Sequence, residues 1–121
     1  MINFRNLTMW KVSIAYTLKL YPILNGLDPS EKYGLASQMK RASVSICSNI
    51  AEGTSRKTTN DISRFFDIAL GSSYELETQL ILVKELSLMK SDMALEFIKE
   101  LNYIQAMINK YKRKVIENSV K

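Results

Sequence analysis

Histidine is absent from the 121-residue sequence. Its absence excludes the Ser-His-Asp triad, histidine general bases, histidine-ligated metals and the Glu-x-x-His motif of di-iron bundles. The single cysteine, Cys47, excludes an internal disulfide and any site built from several thiolates. We therefore expect a protein without catalytic activity, cofactor or metal, and a cysteine count this low favours the reducing cytoplasm.

Glycine, proline and long apolar runs are also scarce. The chain has 4 Gly and 2 Pro, too few for the frequent turns of a small many-stranded domain. No run of some 18 apolar residues is present, and the N-terminus lacks the pattern of a signal peptide. With 46% hydrophobic and 24% charged residues, the sequence predicts a single compact domain over residues 1–121, without a membrane partner.

Apolar residues recur at steps of three and four along the whole chain, which predicts amphipathic helices. The predicted helices span about residues 7–24, 30–52, 59–89 and 91–117. Ser30 is the predicted N-cap of the second helix, and Gly53 its left-handed C-terminal residue. Gly71, inside the third helix, predicts the close approach of another backbone. Four helices joined by short loops predict an all-α fold, an antiparallel up-down-up-down four-helix bundle.

Basic residues lie mainly in the two ends of the sequence. The formal charge is +5, and residues 1–57 hold 8 basic and 3 acidic side chains, residues 58–109 hold 4 and 8, and residues 110–121 hold 5 and 1. Two clusters are candidate nucleic-acid-binding residues: Lys40, Arg41, Arg56, Lys57 and Arg64 around the second connection, and Lys110, Lys112, Arg113 and Lys114 on the last helix. We expect the two clusters at opposite ends of the subunit. For the second cluster, solubility and interaction with a helix C-terminus are the alternative.

The second helix carries a polar stripe beside its apolar one. Its members recur at steps of three and four: Arg41, Ser45, Ser48 or Asn49, and Glu52. One interpretation is that the stripe bonds across the bundle to Gln38, Glu75, Glu77 or Gln79. The other is that it contacts a ligand or another subunit.

Enzymatic interpretations are weak. Glu75 and Glu77 lie about 200° apart on a helix and cannot chelate one ion together. Residues 53–58, GTSRKT, lack the Gly-x-x-x-x-Gly-Lys of a phosphate loop. Cys47 has no neighbouring histidine that could activate it, so an inert cysteine is the better interpretation.

Tyr103 and Tyr111 could stack on bases, although tyrosines at helical spacing more often belong to a core.

Several motifs together resemble the four-helix-bundle family known as 23S rRNA intervening-sequence proteins. The resemblance rests on EKYGL at 31–35, SQMKRA at 37–42, SICSNIAEG at 45–53 and Arg56. It is extended by Phe65 with Ala69, by Gly71-Ser72, by ELETQL at 75–80 and by the opening Phe4-x-x-Leu7-x-x-Trp10. The positions assigned to the family motif or to structural polar contacts are Gln38, Arg41, Ser45, Asn49, Glu52, Gly53, Gly71, Glu75 and Glu77. Cys47 stands where the family usually has proline, so we expect the second helix to be straighter here.

The resemblance implies an antiparallel bundle that assembles as a ring-like homopentamer and has no known catalytic activity. A related branch contains the accessory proteins of diversity-generating retroelements, basic pentamers that bind nucleic acid and a reverse transcriptase. The sequence therefore leaves two candidate functions. The first is a non-enzymatic homo-oligomeric scaffold that binds RNA or DNA electrostatically. The second is an assembly module for a protein partner, without nucleic-acid binding of its own.

Overall fold

Four antiparallel helices form the described part of the molecule. The computed structural model describes residues 3–31 and 33–119. The helices are α1 (Thr8–Asn25), α2 (Leu35–Thr54), α3 (Thr59–Glu85) and α4 (Ser91–Ser119), and short 3-10 helices span Phe4–Asn6 and Pro29–Glu31. Each helix packs against the next and α1 packs against α4, while the described backbones of diagonally opposed helices do not approach one another closely. The predicted all-α four-helix bundle is confirmed.

Each helix contributes fully buried apolar side chains to one core. Leu20, Met39, Phe66, Leu76 and Leu101 are 0% exposed. This shared core follows from the three- and four-residue spacing, which turns one face of every helix inward.

Tyr16 links α1 to α4 inside the core. Its hydroxyl donates a hydrogen bond to the Phe97 carbonyl at 2.9 Å, and the two rings meet edge to face at 5.5 Å. Burial raises the pKa of Tyr16 far above its ordinary value, and the carboxylates of Glu100 and Glu77 raise it further. The hydroxyl therefore keeps its proton and its role as donor at physiological pH.

The predicted start of the second helix is wrong by five residues. Ser30 does not cap α2 but belongs to the short 3-10 helix, and its N–H donates to Asp28 Oδ1 at 2.9 Å. The Asp-Pro-Ser sequence therefore forms a turn of its own. Gly34 is the N-cap, with ψ −115°, and α2 begins at Leu35. Lys32, part of the first quoted motif, lies outside the described residues.

The third helix ends four residues before its predicted end at Met89. Ser87 adopts the left-handed conformation with φ 58°. Its N–H donates to the Lys84 carbonyl at 3.1 Å, and the Leu88 N–H donates to the Val83 carbonyl at 2.8 Å. This is the hydrogen-bond pattern of a Schellman C-cap. The apolar spacing continues past the helix because Met89 is still buried there.

The prediction for Gly53 is wrong, and the backbone predicted to approach Gly71 is not found within the described chain. Gly53 is not a left-handed terminus, because it lies inside α2 and no described glycine has a positive φ. A Cβ at Gly53 would lie 2.8 Å from Phe66 Cε1, so this glycine permits the contact between α2 and α3. Gly71, by contrast, is exposed, and a Cβ there would meet nothing within 4 Å. Within the described part of one chain, no other backbone approaches Gly71.

Cys47 lies buried between α1 and α2. Its Sγ is 3.5 Å from Thr17 Oγ1, and burial raises the pKa of the thiol. The helix continues without interruption through this position, from Leu35 to Thr54. None of the described helices is long and apolar enough to cross a membrane.

Candidate nucleic-acid interface

Arg56, Lys57 and Arg64 of the first basic cluster lie at the same end of the bundle as the cluster on α4. The Nζ of Lys112, near the end of α4, lies 2.5 Å from Asp67 Oδ1 in the early turns of α3, and the Tyr111 ring lies 5.3 Å from the Phe66 ring. The expectation that the clusters lie at opposite ends is therefore wrong. The reason is topological, because each antiparallel pair of helices returns the chain to the end at which it began, so α2 and α4 both finish where α1 starts.

We call this region the basic end. It consists of the start of α1, the connection between α2 and α3, and the last turns of α4. Among its cationic residues are Arg5, Arg56, Lys57, Arg64, Lys110, Lys112, Arg113 and Lys114. Arg5 was not among the predicted residues. It lies in the 3-10 helix just before α1, and its place at the basic end can be recognised only once it is known that α4 ends beside the start of α1.

Lys40 and Arg41 do not belong to the basic end, which corrects their predicted grouping with Arg56. Lys40 Nζ bonds to Asn25 Oδ1 at the last residue of α1, and it lies 5.4 Å from the centre of the Tyr21 ring. Sixteen residues of mostly helical chain separate Lys40 from Arg56, a rise of about 24 Å. Both Lys40 and Arg41 therefore lie toward the opposite end.

Two arginines share one aromatic ring at the connection between α2 and α3. The guanidinium carbons of Arg56 and Arg64 lie 4.7 and 4.6 Å from the centre of the Phe65 ring. Arg56 Nε donates to the Glu52 carbonyl at 3.3 Å, and Arg64 Nε lies 3.8 Å from Asp61 Oδ1. Both side chains remain exposed, so the stacking orients guanidinium groups that keep further N–H donors for a phosphate.

The four cations of the cluster on α4 differ in whether they form an ion pair. Lys112 forms the ion pair with Asp67 and is only 26% exposed. Lys110, Arg113 and Lys114 are exposed, and no carboxylate of the described residues lies within 4 Å of them. Lys57 is likewise exposed and without an ion pair in the described part of the chain. These four residues are therefore available to an anionic ligand.

The two candidate stacking tyrosines differ in their surroundings. Tyr103 is 59% exposed, halfway along α4. Tyr111 is half-buried and packs edge to face on Phe66, and this burial raises its pKa. Of the two, Tyr111 is the one that lies at the basic end.

One member of the polar stripe of α2, Ser45, bonds across the bundle, but to Ser72 and to none of the predicted partners; two of those partners, Gln38 and Gln79, bond to each other. Gln79 Nε2 donates to Gln38 Oε1 at 3.4 Å, and the hydroxyls of Ser45 and Ser72 are 2.8 Å apart. Asn49 instead donates to the Ser45 carbonyl within α2, at 2.8 Å. Cross-bundle bonding therefore accounts for the buried edge of the stripe.

The rest of the stripe faces outward. Ser45 of α2 and Ser72 of α3 touch where the two antiparallel helices pack together. The exposed residues that flank each serine along its helix therefore lie on the same side of the α2–α3 pair. We call this the outer surface; its residues are Arg41, Val44, Ser48 and Glu52 on α2, and Ile68, Gly71, Glu75 and Leu82 on α3. Its charged side chains form no ion pair with any described residue.

Glu77 lies on a different side of α3 from Glu75, as the helical spacing predicts. Its Oε1 accepts hydrogen bonds from Asn102 Nδ2 and Gln105 Nε2 on α4, both at 2.9 Å. Glu77 therefore has a structural role between α3 and α4. Within residues 3–31 and 33–119, no three acidic or cysteine side chains converge in a way that could hold a metal ion.

Comparison with known proteins gives one family and one fold. Residues 5–110 match the family model described as 23S rRNA-intervening sequence protein. A crystal structure from Bacteroides thetaiotaomicron, described as a protein with unknown function from the S23 ribosomal protein family, superposes with a TM-score of 0.80. The sequences are 18% identical, and the match covers 87% of this chain and 95% of the other. No curated protein sequence matches the chain.

Proposed function

The chain belongs to the 23S rRNA-intervening sequence protein family, and we propose that it is a non-enzymatic, homo-oligomeric scaffold that binds RNA or DNA electrostatically through its basic end. The observation that carries the proposal is that cations from two distant parts of the sequence, residues 56–64 and 110–114, lie at the same end of the bundle. Lys57, Lys110, Arg113 and Lys114 lie exposed there, without an ion pair among the described residues, beside the stacked Arg56 and Arg64.

The charge at the basic end suits a phosphate backbone. Each phosphate that a lysine or arginine neutralises releases counterions, so affinity for nucleic acid rises with the number of cations and falls with salt. Among the described residues, the carboxylates that pair with cations at this end are those of Asp61 and Asp67, with Arg64 and Lys112 as partners. Most of the positive charge at this end is therefore left for a ligand.

Self-association would use the outer surface. Val44, Ile68 and Leu82 are each more than 40% exposed there, and Gly71 leaves room for a neighbouring backbone. Exposed apolar side chains next to unpaired charges of both signs are typical of a surface that is covered in an assembly. A ring of copies would repeat the basic end around one axis and raise its avidity for a long polyanion.

A charge-neutral variant of the basic end tests the proposal. In Arg56→Gln/Lys57→Gln/Arg113→Gln, affinity for a labelled structured RNA at about 50 mM salt should fall at least tenfold, and the salt slope should decrease by about 2. The matched control, Lys40→Gln/Lys90→Gln/Lys99→Gln, removes the same formal charge away from the basic end and should change affinity much less.

Two results would contradict the proposal. Equal losses in both variants would mean that net charge alone governs binding. Failure of the unmodified protein to bind RNA or duplex DNA at low salt would instead favour the second candidate, an assembly module for a protein partner.

A further inference from the structure

An open pocket lies at the basic end, between the start of α1 and the last turns of α4. Its volume is about 350 Å³, and its lining residues are Leu7, Thr8, Met9, Met107, Lys110, Tyr111 and Lys114. This volume falls within the roughly 300–1,000 Å³ of small-molecule sites in proteins. The pocket is thus large enough for a single planar ring system.

The wall of the pocket is apolar and adaptable. Met9 is buried and Met107 half-buried, so two flexible thioethers contribute to the surface that a ligand would meet. Tyr111 also lines the pocket, and its ring packs edge to face on that of Phe66. Thioethers and an aromatic ring both make favourable contacts with the face of a flat, polarisable group.

Positive charge lies at the same pocket. Lys110 and Lys114 are four residues apart, so they project from the same side of α4. Neither has a carboxylate within 4 Å among the described residues, whereas Lys112, between them in sequence, is paired with Asp67. The chemistry that complements two unpaired ammonium groups beside an apolar wall is a ring carrying a phosphate.

We propose that this pocket takes one unstacked nucleobase, with its flanking phosphate bound by Lys110 and Lys114. The inference rests on the proposed nucleic-acid binding and deepens it, because it names the form of nucleic acid that is recognised. A base inside an intact duplex is stacked and paired and cannot enter the pocket, whereas a single strand, loop or bulge presents free bases. The protein therefore prefers unpaired nucleotides, whereas the electrostatic contacts elsewhere at the basic end do not depend on base pairing.

A mononucleotide tests the pocket without any polymer. With the methionine methyl groups labelled for NMR, AMP should shift the signals of Met9 and Met107 and leave that of Met39, which is fully buried in the core, unchanged. Inorganic phosphate at the same ionic strength should shift neither. Equal shifts with phosphate alone would overturn the proposal, as would shifts with octanoate but not with AMP, which would indicate a site for anionic amphiphiles.

A filled pocket tests the preference for unpaired strands. Thr8→Trp adds bulk at the pocket and leaves the charge unchanged. We expect it to lower affinity for a single-stranded oligonucleotide at least about fivefold, the effect of losing one stacked base, and to leave affinity for the matching duplex unaltered. The control, Leu95→Trp, places the same ring at an exposed position near the other end of α4 and should alter neither affinity.

The outcomes separate the two proposals. Polymer binding with no preference for single strands, or a preference that survives Thr8→Trp, would overturn the pocket while leaving the electrostatic scaffold intact. Absence of binding to either polymer would overturn the scaffold, and with it the recognition of unpaired strands. Parallel loss of single-strand and duplex affinity in Thr8→Trp would also count against the pocket.

Discussion

Gly53 is the residue on which the close packing of α2 against α3 depends. A side chain at this position would collide with the Phe66 ring, which is fully buried and sits under Tyr111. Glycine is therefore needed here because it has no side chain. Its ability to adopt a left-handed backbone conformation plays no part, since the residue lies inside a regular helix. The same two residues link the family motif on α2 to the basic end of the bundle.

Substitution of Gly53 by alanine is expected to destabilise the protein. The added Cβ would lie 2.8 Å from Phe66 Cε1, and relieving such a clash in a packed core costs about 1–3 kcal/mol. This exceeds the roughly 1 kcal/mol that alanine gains over glycine in a helix. Urea unfolding of Gly53→Ala should show the loss, and in a Phe66→Leu background the same substitution should cost less. An equal cost in both backgrounds would mean that Phe66 is not the obstacle.

The buried hydroxyl of Tyr16 is expected to make the free energy of unfolding fall at alkaline pH. Because its pKa is raised by folding, the folded state keeps a proton that the unfolded chain loses above about pH 10. Its contribution is complete below that pH and declines as the pH rises further, by about 1.4 kcal/mol per pH unit. Tyr16→Phe should cost about 1 kcal/mol at neutral pH through the lost hydrogen bond to Phe97, and should show a shallower alkaline decline. Urea unfolding of both proteins from pH 8 to 11 measures this; parallel curves would contradict it.

Among the helices, the end residues determine where the connections begin. Thr58 caps α3 by accepting a hydrogen bond from the Asp61 N–H at 3.1 Å, which agrees with the predicted start near residue 59. At the other end of α3, serine occupies the left-handed position that glycine usually takes in this motif. The connection between α3 and α4 therefore carries a local conformational cost that its sequence does not avoid.

Ser87→Gly is expected to stabilise the protein by about 0.5–1 kcal/mol. Glycine adopts a positive φ without the steric cost that a Cβ imposes, and this gain outweighs its greater entropy in the unfolded chain. Ser87→Ala, which keeps the Cβ, is the matched control and should not be stabilised. Thermal unfolding of the three proteins decides the matter, and a Ser87→Gly protein that melts below the unmodified one would show that the C-cap is not strained.

For the bundle as a whole, the arrangement of antiparallel helices decides which charges act together. The basic end combines residues from the first, middle and last parts of the sequence, while the outer surface combines α2 with α3. The two regions adjoin at the end of α2, where Arg56 Nε donates a hydrogen bond to the Glu52 carbonyl.

Assembly through the outer surface predicts a concentration-dependent stability. If copies associate as proposed, the unfolding midpoint should rise with protein concentration, because only the folded chain associates. Leu82→Glu should remove this dependence and lower the mass measured by light scattering. Leu95→Glu, at a similarly exposed apolar position outside the surface, should do neither. A midpoint independent of concentration in the unmodified protein would contradict assembly.

The helices could be predicted because their causes are local. Apolar spacing placed four helices, and the starts of α1, α3 and α4 agree with the structure to within a residue or so. The start of α2 and the end of α3 could not be located in the same way. At the first, a turn with its own hydrogen bonds replaces the expected cap at Ser30, and at the second, apolar residues remain buried beyond the helix.

Periodicity, composition and motif are properties of neighbouring positions, so the helical class, the four segments, the family motif and the identity of the charged residues follow from the amino-acid sequence alone. The packed bundle adds that Arg56 and Lys114 share one end, that Lys40 belongs to the other, that Gly53 accommodates Phe66 and that Lys110, Lys114 and Tyr111 border one pocket. These relations depend on the direction and the rotation of each helix against its neighbours. Both are set by the packing of the common core, which joins residues far apart in the chain.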